Sequence, residues 1–290
     1  MYGIEIREKL NKHLTKNAIL RIDYVPISDT EVDSINGKLA KELLLNGMNF
    51  SNMKQTFMRN IDIQMNDPSI QDFNEFINVK EKSRVKSYQY YKVDEDSNIE
   101  MILTFNRQFC SIDVNQDIRY YNYEIYRDIF LKLLEILKEQ ELIINRFSIK
   151  KFNEFFLKKD VPIDLYVKDK YFNLDCSDLL ASSESFISEK RYTFLKNIYN
   201  VNLITHSSIG KLDDVIVKRI AFDIDVYIAD LQDLKKLFQE DNEEYINRLN
   251  NELFCVYVHI LNEKMISLLD RSSCIEDGNI VLGVERNENT

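Results

Sequence analysis

Asp223 and Asp225 are the residues of this sequence whose type and spacing best suit chemistry. They interrupt the apolar stretch KRIAFDIDVYIAD, residues 218–230, whose alternation predicts a β-strand. Residues i and i+2 of a strand project from the same face. Two carboxylates placed in this way could hold Mg²⁺, because this ion takes one or two protein carboxylates and completes its shell with water and substrate phosphates.

The same pattern also fits a strand that has one polar face and no metal. In that reading Phe222, Ile224 and Val226 face the core, and the aspartates face solvent or a partner. A third reading pairs the carboxylates with Lys218 or Arg219. No Gly-Ser turn precedes the pair to hold a phosphate, so we favour the polar face and keep the metal site as the alternative. We predict no catalytic residue and no cofactor.

Histidine and cysteine offer little support for another site. The chain has three histidines and four cysteines, with no C-x-x-C spacing. Cys255 and His259 lie four residues apart in a predicted helix, but their neighbours are apolar, which favours packing over metal binding. His206 lies beside two serines without a G-x-S-x-G elbow, so a serine hydrolase is not indicated.

Composition excludes several classes of function. The chain has 290 residues, of which 44% are hydrophobic, as expected for a folded protein. Its net charge of -10 disfavours broad binding to a phosphate backbone. Only six glycines are present, and neither common nucleotide-binding glycine motif occurs. No stretch is long and apolar enough to cross a membrane, so we expect a cytoplasmic protein.

Tyrosine-rich stretches are the best candidates for a binding surface. RVKSYQYYK, residues 84–92, and RYYNYEIYR, residues 119–127, combine aromatic rings with basic residues. Such rings could stack on nucleic-acid bases, but on strands they more often fill a sheet face or a protein interface. We therefore assign them to a protein partner or to self-association, with a nucleic acid as the weaker alternative. The residues are Tyr88, Tyr90, Tyr91, Tyr120, Tyr121 and Tyr123.

Each half of the chain ends in a strand hairpin followed by a long helix. In the first half, strands are predicted at 18–27, 84–94, 99–115 and 144–156, and helices at 30–47 and 122–140. In the second half, two strands at 191–208 and 214–230 precede a helix at 241–270.

This order predicts an α+β protein of two lobes, each an antiparallel sheet covered by a long amphipathic helix. The predicted boundaries are an N-terminal lobe at 1–160, a connector at 161–190, a C-terminal lobe at 191–270 and a charged tail at 271–290.

Several short motifs resemble those of a sporadically distributed, uncharacterised family of bacterial cytoplasmic proteins. These motifs are the strand INRFSIKKFNEF, the later strand ending in D-x-D, and a helix carrying IN-x-LN-x-x-LF. The matching positions are Arg146, Asn153, Asp223, Asp225, Asn250 and Phe254. Lys150 and Lys151 depart from the family pattern, which is more aromatic there. The resemblance implies a two-lobed α+β protein with no assigned reaction and an accessory role, such as phage defence.

Together these observations predict a non-enzymatic component of a bacterial accessory system that binds another protein. The first alternative is a Mg²⁺- or Mn²⁺-dependent enzyme that acts on nucleotides or nucleic acid through Asp223 and Asp225. The second alternative is a nucleic-acid-binding module, which the acidic net charge disfavours.

Overall fold

The computed structural model describes residue 10 and residues 13–45, 48–65, 77–172, 186–212, 215–239, 242–270 and 278–281. Most of the predicted tail at 271–290, and residues 173–185 of the predicted connector, lie outside these ranges.

The described residues form one ten-stranded sheet in which every pair of neighbouring strands is antiparallel. The strands are β1 (Thr15–Tyr24), β2 (Asn52–Met65), β3 (Ile77–Val93), β4 (Ile99–Asn106), β5 (Phe109–Asn115), β6 (Ile144–Lys158), β7 (Phe186–Lys196), β8 (Tyr199–Leu212), β9 (Val215–Ile228) and β10 (Ile280–Val281). Their order is β2-β3-β4-β5-β1-β6-β9-β8-β7, and β10 pairs with β6 beside this path.

Along the chain, five helices lie between or after groups of these described strands. They are α1 (Asp29–Ala40), α2 (Tyr123–Lys138), α3 (Leu231–Gln239), α4 (Asn242–Ile260) and α5 (Glu263–Leu269). A π-helical turn follows α1 at Lys41–Leu45, and 3₁₀ turns lie at Ile163–Leu165 and Asp169–Tyr171. A capping box begins α1, because the Ser28 hydroxyl accepts from the Glu31 amide and the Glu31 carboxylate accepts from the Ser28 amide. Among the described residues, no helix is long and apolar enough to cross a membrane.

The helices cover one face of the sheet. Alternate residues of β1 are buried beneath them, namely Ala18, Leu20, Ile22 and Tyr24. Phe130 of α2 stacks on Phe147 of β6, with ring centroids 5.6 Å apart, and Tyr257 of α4 lies 5.8 Å from Phe222 of β9. Because side chains alternate along a strand, the residues between these apolar positions project from the other face, which carries polar and charged groups.

The α+β class and the large antiparallel sheet are confirmed, but two separate lobes are not. Strands of both halves join one sheet through β6, which pairs with β1 on one side and with β9 on the other. The buried hydrophobic residues likewise form one cluster that includes residues of both halves. Local periodicity does not show which strands pair, so the sequence did not reveal this junction. The domain boundaries at 160 and 190 stay predictions.

Some predicted elements are divided in the structure. The predicted strand at 99–115 is a hairpin of β4 and β5, because the Asn106 side chain accepts from the amides of Gln108 and Phe109 and closes a turn. The predicted strand at 191–208 is the hairpin of β7 and β8, where Asn197 has φ of 57°. The predicted helix at 241–270 is divided between α4 and α5.

Candidate functional site

The polar face of the sheet places charges of opposite sign on neighbouring strands. Asp23 of β1 lies opposite Arg146 of β6, and Asp225 of β9 lies opposite Lys150 of β6. The Asp225 side chain is 16% exposed, whereas that of Lys150 is 40% exposed. The carboxylates are therefore the deeper groups, and the basic residues are the more accessible ones.

Arg146, Lys150 and Asp225 line a cavity of about 480 Å³ on the face opposite the described helices. Seven neighbouring strands contribute to its lining. In a flat sheet the first and the last of seven strands would lie about 29 Å apart, which is too far for both to line one cavity of this size. The sheet must therefore curve around the cavity, which we call the polar trough. Its lining residues are Ile19, Arg21, Thr56, Ser87, Gln89, Ile102, Thr104, Phe109, Ser111, Asp113, Arg146, Ser148, Lys150 and Asp225.

Arg146 connects carboxylates from both halves of the chain. Its Nη2 donates to Oδ2 of Asp225 at 2.5 Å, and its Nη1 lies 3.6 Å from Oδ2 of Asp23. Arg21 in turn donates to Oδ1 of Asp23 from Nε at 2.9 Å and from Nη2 at 2.5 Å. Lys150 forms a separate ion pair, with Nζ 2.6 Å from Oδ2 of Asp223. The trough thus contains an ordered row of alternating charges.

Aromatic rings orient both guanidinium groups. The Cζ of Arg21 lies 4.0 Å from the ring centroid of Phe109, and the Cζ of Arg146 lies 4.4 Å from that of Tyr227. Each contact is close enough for a favourable cation–π interaction, and it leaves the edge of the guanidinium group available for hydrogen bonds. The two arginines are therefore held in place before any ligand arrives.

Burial weakens the acidity of two carboxyl groups in the trough. Burial raises the pKa of Asp225, and the neighbouring Asp223 raises it further, while Arg146, Lys150 and Asn202 act in the opposite direction. Burial also raises the pKa of Asp113, against the hydrogen bond from the Asn17 amide and the charge of Lys150. Both groups consequently hold a proton more tightly than they would in water.

Of the predicted metal pair, Asp225 lines the trough, and Asp223 lies beside it and pairs with Lys150, but the two do not make a complete set of metal ligands. Asp223 and Asp225 share the polar face of β9, and Oδ1 of Asp223 is buried without a hydrogen-bond partner among the described residues. Within the same part of the chain, no group of three or more His, Cys, Asp or Glu residues is placed to hold a metal ion. A divalent cation bound here would need further oxygen ligands from water and from its substrate.

The tyrosines predicted to contact a partner divide into buried and accessible groups. Tyr88, Tyr90 and Tyr121 are buried. Their hydroxyl groups donate inward, to Asp33 at 2.6 Å, to the Asn36 side chain at 2.5 Å and to Glu100 at 2.6 Å, respectively. These three rings therefore offer little contact surface, because α1 covers Tyr88 and Tyr90 on β3 and Tyr121 is buried in the segment between β5 and α2. Tyr91, Tyr120 and Tyr123 remain partly exposed.

The positions suggested by the family resemblance lie on opposite faces of the sheet. Arg146 and Asp225 pair in the trough, and Asp223 lies beside it on the same face of β9. Asn153 is buried on the other face, where it accepts from the Thr15 hydroxyl and donates to the carbonyl of Phe222 at 3.3 Å. Asn250 and Phe254 lie on α4, where Asn250 is buried and the ring of Phe254 stacks on Tyr257. Arg146 and Asn153 are an odd number of residues apart, so one strand directs them to different sides.

Sequence reasoning missed Arg21, Asp23 and Asp113 as site residues. In LRIDY, residues 20–24, alternation places Arg21 and Asp23 on one face, which is the same signal that singled out Asp223 and Asp225. That signal could have identified the second charged pair. The pairing of β6 with both β1 and β9, which brings the groups together, is not readable from local pattern.

Comparisons with known proteins assign no family to this chain. No protein-family model matches it, and no curated protein is similar to it. A structure of the S. pombe Pct1 RNA triphosphatase is 6% identical, with 89% of each chain covered and a TM-score of 0.17. The structure of Pct1 in complex with the Spt5 CTD is 7% identical, with 87% of this chain and 86% of that chain covered and a TM-score of 0.16. At these TM-scores the likeness carries no argument about fold or function.

Proposed function

We propose that the polar trough binds a nucleotide through its phosphate groups, together with a divalent cation. The observation that carries this proposal is the set of three basic side chains, Arg21, Arg146 and Lys150, around one cavity on a chain whose overall charge is negative. Phosphate oxygens suit this set, because a guanidinium fork matches them in a bidentate fashion and an ammonium group adds a point charge.

Acidic residues in and beside the trough support a role for the cation. Three carboxylates, those of Asp23, Asp223 and Asp225, already pair with these basic residues, so a polyphosphate alone would meet repulsion. Asp223 and Asp225 would hold Mg²⁺ or Mn²⁺, and the positive charge of the ion would offset that repulsion. The buried Oδ1 of Asp223 would then gain a partner that the described residues do not provide. Such an ion would also polarise a bound phosphate, which is the chemistry of a metal-dependent enzyme acting on nucleotides.

The proposal predicts that ATP binds only weakly without Mg²⁺ or Mn²⁺ and that Lys150→Met and Asp223→Asn each weaken binding. Loss of one charge-assisted contact should lower the affinity about tenfold, equivalent to ~1.4 kcal/mol. Isothermal titration calorimetry on the full chain measures this directly. Lys211→Met is the matched control, because Lys211 is an exposed cation on β8 that does not line the trough. Wild-type protein that binds no nucleotide with either ion would contradict the proposal.

A second candidate function is that of a cytoplasmic protein-binding component of a bacterial accessory system, such as phage defence. Exposed apolar side chains around the β7–β8 turn favour it, because they lie within five residues of one another. They are Phe194, Leu195 and Ile198. In this proposal the C-terminal lobe, residues 191–270 in the two-lobe division, carries most of the contact surface.

Association in solution tests the second candidate. We expect size-exclusion chromatography with light scattering to show a complex, either of two copies or with a protein encoded by an adjacent gene. Leu195→Asp should reduce its amount, because a charge placed in an apolar contact would have to be desolvated. A strict monomer that captures none of the neighbouring gene products would contradict this function.

A further inference from the structure

A large groove lies on the helix-covered side of the sheet, away from the polar trough. Its volume is about 1040 Å³, and it is bounded by residues 164–171, by the ends of β7 and β8, and by α4 and α5. We call it the C-terminal groove. Its apolar lining includes Leu165, Phe194, Leu203, Val256, Val258 and Ile266. Phe194 is 40% exposed although it faces this lining, so the apolar surface is accessible from solvent.

Lysines flank this apolar surface. Lys168 donates from Nζ to the carbonyl oxygen of His259 at 2.6 Å, and Nζ of Lys170 lies 4.9 Å from the ring centroid of Tyr171. Lys196 lines the groove on the opposite wall, where it pairs with Glu252 at 2.7 Å. The acidic lining residues, Asp164 and Glu263, lie towards the start of α5, and Glu252 is engaged by Lys196, so the positive charge beside the apolar surface comes mainly from Lys168 and Lys170.

His259 lines the groove, and its pKa depends on the electrostatic potential there. Its pKa is lowered, first by burial and then by the charges of Lys168, Lys170 and Lys196. A ligand that enters the groove beside His259 therefore meets apolar contacts together with a positive potential.

We infer that the C-terminal groove binds an acidic amphipathic helix of a partner protein, which would insert an apolar face and direct carboxylates towards Lys168, Lys170 and Lys196. This inference rests on the second proposed function, because it assumes that the chain binds a protein. The volume, about 1040 Å³, lies at the upper end of the range of about 300–1000 Å³ that is typical of small-molecule pockets, so the groove has room for one face of a helix. A helix with apolar residues at i, i+3, i+4 and i+7 is the peptide that recognises such a groove, and the lysines select an acidic one.

Fluorescence titration with a designed peptide tests the inference on the full chain. The chain contains no tryptophan, so one tryptophan in the apolar stripe of the peptide gives a signal free of protein background. The probe is an amphipathic peptide of about four helical turns, with leucine in its stripe and glutamate elsewhere. Matched peptides carry lysine in place of glutamate, or the same residues with the stripe scrambled.

We expect the acidic peptide to bind at least tenfold more tightly than either matched peptide. Phe194→Asp and the double variant Lys168→Glu/Lys170→Glu should each weaken binding at least tenfold. Ile187→Asp is the control for the first variant, because Ile187 is 81% exposed on the same strand but does not line the groove. Lys211→Glu is the control for the second.

Four results would overturn the inference. Equal binding of the acidic and lysine peptides would remove the charge selection, and binding that survives Phe194→Asp would place the peptide elsewhere. Binding of anionic lipid vesicles with the same dependence on Phe194 and the lysines, without peptide binding, would identify a membrane surface as the ligand. If the chain still forms a complex with a neighbouring gene product while none of these peptides binds, the groove inference fails and the second proposed function stands.

Discussion

The side chain of Arg146 contacts carboxylates from both halves of the chain. It contacts Asp23 of the first half and Asp225 of the second, and its guanidinium group stacks on Tyr227. Lysine could not replace it, since one ammonium group lacks the planar fork that reaches two carboxylates and stacks on a ring. The polar trough therefore depends on this one position more than on the aspartate pair that the sequence made prominent.

Asp225 should make stability depend on pH in a predictable direction. Because burial raises its pKa in the folded state, the folded protein binds a proton more tightly than the unfolded chain, and this contribution to stability is lost as pH rises through the folded pKa. The Asp225→Asn variant has no carboxyl group at this position, so it does not lose stability in this way as pH rises. Relative to wild type, the variant should therefore gain stability as pH increases from acidic to neutral.

Urea denaturation at a series of pH values measures this difference. Asp128→Asn, at a carboxylate on α2 whose side chain is 58% exposed, serves as the comparison. If Asp225→Asn instead loses stability relative to wild type as pH rises, the ion pair with Arg146 outweighs burial and the assigned direction is wrong.

At the scale of elements, alternation lets a single strand serve both the core and the candidate site. On β6, Phe147, Ile149 and Phe155 are buried under the helices, while Arg146, Ser148 and Lys150 line the trough. The sequence predicted this strand, the adjoining α2 and β9 at nearly their observed bounds, because each has a long and regular periodicity. The sequence did not predict the turns between β4 and β5 and between β7 and β8. In each case a single asparagine, Asn106 or Asn197, makes the turn inside an apolar stretch.

At the scale of the whole molecule, one sheet with one buried cluster should unfold as a single cooperative unit. β6 lies at the junction of the halves, so loss of packing there should affect both. Phe147 is fully buried against Phe130. We expect Phe147→Ala to lower the free energy of unfolding by about 3–5 kcal/mol, because truncation leaves a cavity, and to do so without dividing the transition.

Differential scanning calorimetry provides the test. Equal calorimetric and van't Hoff enthalpies, in wild type and in the variant, would support one unit. Phe194→Ala is a suitable control, since that ring is accessible to solvent and its loss should cost less. Two resolved transitions, of which only one shifts in Phe147→Ala, would instead support the two lobes predicted from the sequence.

The sequence by itself determined where the long, regular strands and helices such as β6, β9 and α2 lie, and that Asp223 and Asp225 share one face of a strand. These are local properties, because a residue's direction along an element depends only on the period of that element. Tertiary structure alone decided that this face borders a trough with Arg21, Arg146 and Lys150, and that Tyr90 and Tyr121 are buried. Those outcomes depend on which strands pair and in what register. Strand pairing and register are set by the packing of the whole core, between segments that are far apart in the chain.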